Sequence, residues 1–233
     1  MSALERWVEV HRLAVAGREP AIARDVGHKV AEEWLNTSRF ADVEALANAT
    51  LTLGPDAGAF YDLGRAQFST GRPQSALENY EQALHLYREA NDRGNEASTL
   101  SNIGHVYHRL GDPHQALNHF YQALPVIQEV GDRHGEASTL NNIGAVYLRL
   151  GDPQQALNHY HQALAIQHEI GDRHGEATTL NNIGIASHEF GDSLRAVNHF
   201  HQALAIQHEI GDRHGEATTL NNIGIAYRKL GNQ

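Results

Sequence analysis

Apolar side chains recur at helical spacing from the start of the chain. Leu4, Trp7, Val8, Leu13 and Val15, with His11 among them, predict a short amphipathic helix over residues 3–16, ended by Gly17. Pro20 opens a second helix to about Leu35, with Ile22, Val26, Val30 and Trp34 on one stripe. Phe40, Val43, Leu46, Ala47 and Leu51 make a third. Leu53-Gly54-Pro55-Asp56 is a stop-and-turn cluster. Beyond it the pattern becomes periodic. Phe60, Leu63, Gly64, Gly71, Ala76, Leu77, Tyr80, Ala83 and Leu84 stand 40 residues before Leu100, Ile103, Gly104, Gly111, Ala116, Leu117, Phe120, Ala123 and Leu124.

The period tightens downstream until His161–Ala186 and His201–Ala226 are the same 26 residues. Self-similarity at this spacing signals an array of stacked supersecondary units. The punctuation divides each unit into two helices. In Leu150-Gly151-Asp152-Pro153, Gly151 suits a left-handed helix end, Asp152 an N-cap and Pro153 the first helical turn. Gly171 and Asp172 do the same at the other junction. Helices are expected at 56–70, 73–90, 95–110, 113–130, 135–150, 153–170, 175–190, 193–210 and 215–230, with no strand. Gly144 and Ala156 are expected to face each other across a helical hairpin, surrounded by Leu140, Ile143, Tyr147, Leu157 and Tyr160. Residues 1–54 form a divergent helical segment. Residues 55–233 form about four and a half repeats, the last incomplete.

Composition narrows the function classes. The chain is 41% hydrophobic and 7% aromatic, which suits thin stacked units better than one deep core. A formal charge of −10 repels a phosphate backbone, so no nucleic-acid partner is expected. There is no cysteine, hence no disulfide or thiolate chemistry. The charged N-terminal stretch is no leader, no apolar run is long enough to span a membrane, and a cytoplasmic location is expected. Phosphate-loop, zinc-protease and serine-hydrolase motifs are absent, and the acidic residues read as caps and exposed turns, so no catalytic residue and no cofactor are assigned. The 17 histidines read mostly as a duplicated polar surface, with His134, His174 and His214 along one edge. His105 and His108 are spaced to share a metal, but no third ligand is placed beside them, so no metal is expected.

The set Leu140, Ile143, Gly144, Tyr147, Ala156, Tyr160 and Ala163, recurring over 56–230, resembles the tetratricopeptide repeat in a 40-residue form. The GDR…NNIG…LGD…AL spacing is similar to Pins-type scaffolds, kinesin light chains and the C-terminal arrays of bacterial STAND-type signalling NTPases. Ser187, Ser193 and Gln67 depart from the pattern. The resemblance implies an all-α, right-handed superhelical solenoid of antiparallel helix pairs. Its first helices would line a concave groove for a protein or peptide partner, as in an adaptor or sensor portion of a larger signalling protein. It also implies that the asparagine two residues before the helix glycine, here Asn102, Asn142, Asn182 and Asn222, clamps a peptide backbone. An amide suits that task because it donates and accepts at once. On the same face stand Asn141, Asn181, Asn221, His105, Ile185 and Ile225, followed by His108, Leu148, His188 and Arg228, with Arg109 and Arg149 adjacent. The asparagines can equally bond a neighbouring helix and order the stack. A second functional reading is self-assembly into a homo-oligomer through an open C-terminal end carrying Leu220, Ile223 and Tyr227. On the other view of that end, the chain is a piece of a longer protein.

Overall fold

The computed structural model describes residues 2–231; Met1, Asn232 and Gln233, the last two closing the expected array, lie outside the described residues. Twelve helices and no strand occur among the described residues. They form an all-α repeat solenoid that divides by packing into two compact units, Met1–Asp112 and Pro113–Gln233. The first unit holds α1 (Ala3–Ala16), α2 (Pro20–Asn36), α3 (Phe40–Leu51), α4 (Ala57–Ser69), α5 (Pro73–Glu89) and α6 (Arg93–Leu110). The second holds α7 (Pro113–Val130), α8 (Arg133–Arg149), α9 (Pro153–Ile170), α10 (Arg173–Glu189), α11 (Ser193–Ile210) and α12 (Arg213–Gly231).

Aspartates set the helix starts. Asp132 and Asp172 accept from the backbone N–H of Gly135 and Gly175, and Asp152 and Asp192 from those of Gln155 and Arg195. The first helices of the repeats therefore begin at Arg93, Arg133, Arg173 and Arg213, two residues before the expected positions, because the aspartate and not the later glycine is the boundary. Gly171 and Gly211 end their helices at φ 70° and 73°. At the N-terminal end the expected stop at Gly17 is displaced by one residue. Gly17 keeps a right-handed conformation and Arg18 takes the left-handed one, at φ 56°.

Packing within a repeat rests on one close approach. A Cβ at Gly144 would lie 2.6 Å from the Tyr160 ring, and one at Gly184 would lie 2.4 Å from Phe200. Gly64 stands in the same relation to Tyr80, at 2.7 Å. The ring of Tyr160 is thus the group that meets Gly144 most closely. Around this contact Ala137 and Leu140 of α8 close on Ala163 and Ile166 of α9, and Ala177 and Leu180 of α10 on Ala203 and Ile206 of α11. The next first helix completes the layer, as Ile183 and Ala186 pack on Ala156, Leu157 and Tyr160. Each leucine or isoleucine among these contributes about 1.5–3 kcal/mol when fully buried, and each alanine methyl less.

Not all carboxylates sit in caps and exposed turns. Glu96, Glu136 and Glu176 are buried. Each pairs with the arginine three residues earlier and with a side chain of the preceding helix. That second partner is Arg88 (2.9 Å), Gln128 (2.8 Å) or His168 (3.0 Å) respectively. Arg133 and Arg173 also reach Glu169 and Glu209 of the following second helices, both at 2.6 Å. The GDR…E signature is therefore an ion-paired joint between successive helices.

The glycine contact makes a sign-reversing prediction. Gly184→Ala, with no room for the methyl, loses about 1–3 kcal/mol of stability. Gly224→Ala, where nothing lies within 4 Å, gains up to about 1 kcal/mol from helix propensity. Denaturant melts of the two variants check this, and the same sign for both would refute it.

Candidate functional site

In the second unit the first-helix face is built by α8, α10 and α12, whose Asn-Asn-Ile-Gly segments repeat at 40-residue intervals. Several amides of this face are engaged with side chains of neighbouring helices. Asn141 Nδ2 donates to Thr179 Oγ1 at 2.6 Å, and the Thr179 hydroxyl donates to Gln167 Oε1 at 2.7 Å. Asn222 Nδ2 and the Thr219 hydroxyl both donate to Asn181 Oδ1, at 3.0 and 3.3 Å. Apart from the bond to Gln167 of α9, a second helix, these join neighbouring first helices, the stack-ordering role that the sequence left open. Asn182 differs: it is half-buried, and among the described residues its amide has no hydrogen-bond partner. Asn142 is half-buried on α8, and Asn221 is exposed on α12.

The apolar members of the face separate in the same way. Leu148 packs into the core between α8, α9 and α10. Ile185, His188, Glu189, Asn222 and Ile225 line a cleft of ≈ 180 Å³, with Phe200 of α11 beside them. The structure thus brings together four of the residues singled out from the sequence: Ile185, His188, Asn222 and Ile225. At the C-terminal ends of the first helices, the Lys229 ammonium donates to the His188 carbonyl at 3.1 Å, which also accepts from the Gly191 backbone N–H at 3.0 Å. Arg228 and Arg149 are exposed. Of the three residues expected at an open end, Leu220 and Tyr227 are exposed, whereas Ile223 is buried against Ala196, Val197 and Phe200 of α11.

In the first unit the corresponding face belongs to α4 and α6. Asn102 Nδ2 donates to the Tyr61 hydroxyl at 3.0 Å, the same spacing in sequence as Asn222 to Asn181. The Arg109 guanidinium donates to the Phe68 carbonyl at 3.0 Å and lies 5.0 Å over the Phe68 ring. His105 and His108 are half-buried on α6. Burial, with His108 adding to it, holds the His105 imidazole below its usual pKa. Among the described residues no group of three or more metal-ligating side chains is placed to hold an ion.

The clamp position of the earliest repeat is Asp62, and sequence reasoning gave it no partner. It is buried, and His28 of α2 covers it, with Nδ1 3.1 Å from Oδ2. The hydrogen bond to Asp62 holds the His28 imidazole above its usual pKa, and burial holds the Asp62 carboxyl above the usual range. Glu32 and Arg65 are the other charges acting on the pair.

Comparison with known proteins agrees with this architecture. The tetratricopeptide-repeat family profile matches residues 57–95, 95–169, 136–209 and 175–233. The structure of BtubC (BKLC) from P. vanneervenii is similar with a TM-score of 0.76 at 21% identity, covering 91% of this chain and 93% of that one. A putative kinesin light chain from Podospora anserina, with nearly identical repeats, gives 0.68 at 16% identity, over 82% and 98% of the two chains. The apo form of RapI gives 0.71 at 17% identity, over 99% and 72%. No curated protein sequence matches the chain closely enough to show relatedness.

Two predictions follow from the geometry. Asn102→Ala and Asn222→Ala each cost about 1 kcal/mol by deleting an interhelical hydrogen bond, while Asn182→Ala stays within about 0.5 kcal/mol of wild type. Denaturant titration separates these values, and equal losses at all three would contradict the assignment. The second concerns pH. His28 binds its proton more tightly folded than unfolded, so its contribution is full below about pH 6.5 and is lost as the pH rises through its raised pKa. The difference in Tm between wild type and His28→Gln is then larger at pH 6 than at pH 8.5. A pH-independent difference would rule out the pair.

Proposed function

This chain belongs to the tetratricopeptide-repeat family, and from that premise we propose that its first-helix face holds an extended segment of a protein partner. The repeat fold is typical of protein–protein interaction modules. The observation that carries the finer reading is the cleft between α10 and α12. It offers Ile185 and Ile225 to an apolar side chain, and the unpaired Asn182 amide lies one helical turn before Ile185. An apolar anchor buried there is worth roughly 1.5–3 kcal/mol. The amide can donate to a carbonyl and accept from an N–H of the same extended backbone. Arg228 and Lys229 place positive charge beyond the cleft, favouring a partner segment with a carboxylate after its anchor. A face of this kind fits an adaptor or sensor portion of a larger signalling protein.

The test is recovery of partners from a lysate of the source cells with wild type and with an Asn182→Ala, Ile225→Asp pair as baits. Both residues can be changed without opening the core. A partner held by wild type and reduced at least about tenfold with the still-helical pair supports the reading, an anchor and a backbone clamp together exceeding 1.4 kcal/mol. Equal recovery of every protein by both baits overturns it.

A further inference from the structure

One position of the repeat carries a side chain that is gripped in two units and missing from a third. In α8 the Tyr147 ring is stacked on His159 of α9, with centroids 5.5 Å apart and planes 5° from parallel. Its hydroxyl is 3.1 Å from that of Tyr121 on α7, and the Tyr121 and His159 rings meet at 6.1 Å and 61°. The tyrosine is thus held by two rings of successive second helices. Forty residues on, the three positions are Ser187, His199 and His161. Gln67 and Asn79 are the counterparts of Ser187 and His199 in the first unit. There a hydrogen bond takes over, Asn79 Nδ2 donating to Gln67 Oε1 at 2.9 Å.

Ser187 offers neither a ring nor such a bond. The rings beside it have not moved in: His161 and His199 meet at 6.4 Å and 62°, nearly the arrangement of Tyr121 with His159. The frame that grips Tyr147 is therefore kept without the ring it grips. Ser187 is 1% exposed, and its hydroxyl has no hydrogen-bond partner among the described residues. A buried polar group in that state is destabilising until something reaches it. Phe190, one turn on, does not stand in for the tyrosine, since it is 57% exposed and lines a recess with Leu194 and Leu230.

We propose that the place above Ser187, between α9 and α11, receives the tyrosine side chain of a protein partner, with its ring on the His199 imidazole and its hydroxyl toward His161. A phenol fits better than a plain phenyl. His161 stands where Tyr121 meets the Tyr147 hydroxyl, and an imidazole nitrogen can accept from a phenol O–H. The source is a protein because one ring held at one place binds only in the millimolar range, too weakly to retain a free phenol but enough for one anchor of a longer segment. None of the residues lining the cleft between α10 and α12 takes part, so the two sites stand or fall separately.

The probe is N-acetyl-tyrosine amide, followed by NMR of the histidine imidazoles in the full chain. The His199 and His161 signals are expected to move with a Kd of about 1–10 mM, and those of His159, already covered by Tyr147, to stay. N-acetyl-phenylalanine amide binds at least about threefold more weakly. Ser187→Tyr supplies the ring from within, so it raises Tm by about 2 °C or more and abolishes the response to the probe. Motionless His199 signals overturn the proposal. So does an equal response in Ser187→Tyr, which means stacking on exposed imidazoles, or a Ser187→Tyr chain no more stable than wild type, which means there is no room. Binding of p-cresol with a Kd below about 10 μM makes a free phenol the ligand and overturns the assignment to a partner's tyrosine.

Discussion

The structure depends on an aromatic ring lying against a glycine. At Gly64–Tyr80, Gly144–Tyr160 and Gly184–Phe200 the ring of the second helix occupies the space a side chain of the first helix would fill. That contact sets how near the two helices come, and so which residues lie in register around it. Ala163 and Ile166 reach Ala137 and Leu140 because the hairpin is already closed at the glycine. The next first helix then finds a preformed surface, on which Ile183 and Ala186 settle. Interiors at this density leave no slack for an added methyl, which is why the position is glycine in these three units.

Much of this was legible in the sequence. The helical stripes, the 40-residue period and the Gly-Asp-Pro punctuation are local properties, and each is decided by a few neighbouring residues. What was less legible depends on partners 41 residues away along the chain. The Asn222–Asn181 and Asn102–Tyr61 bonds connect residues one period apart, and the repeat alone does not say which of two adjacent asparagines turns toward the neighbouring helix. The burial of Glu96, Glu136 and Glu176 was hidden for a different reason. A glutamate in the first turn of a helix looks like a solvated residue, until Arg88, Gln128 or His168 is brought over it by the preceding helix. The recurrence of GDR…E at fixed spacing was the available signal. For His28 and Asp62 no periodic signal existed, because the N-terminal helices had already diverged from the pattern.

The candidate site follows from small differences between near-identical units. The isoleucines at positions 185 and 225 stand where earlier units have Ala145 and His105, and they line the cleft between α10 and α12. Several amides of the face are spent in bonds to neighbouring helices, whereas the Asn182 amide, one turn before Ile185, has no hydrogen-bond partner among the described residues. On the proposed reading, recognition and scaffold share the first-helix face, and the division between them is made by hydrogen bonding rather than by residue type. In the first unit, Asp62 is withdrawn from the surface by His28.

The claim that the glycine–ring contact organises the repeat is tested most directly by a double-mutant cycle between Gly184→Ala and Phe200→Leu. If the methyl and the ring compete for one space, the alanine that destabilises wild type is tolerated once the ring is gone, and the coupling energy is at least about 1 kcal/mol. Additive losses, with no coupling beyond about 0.3–0.5 kcal/mol, would contradict the account.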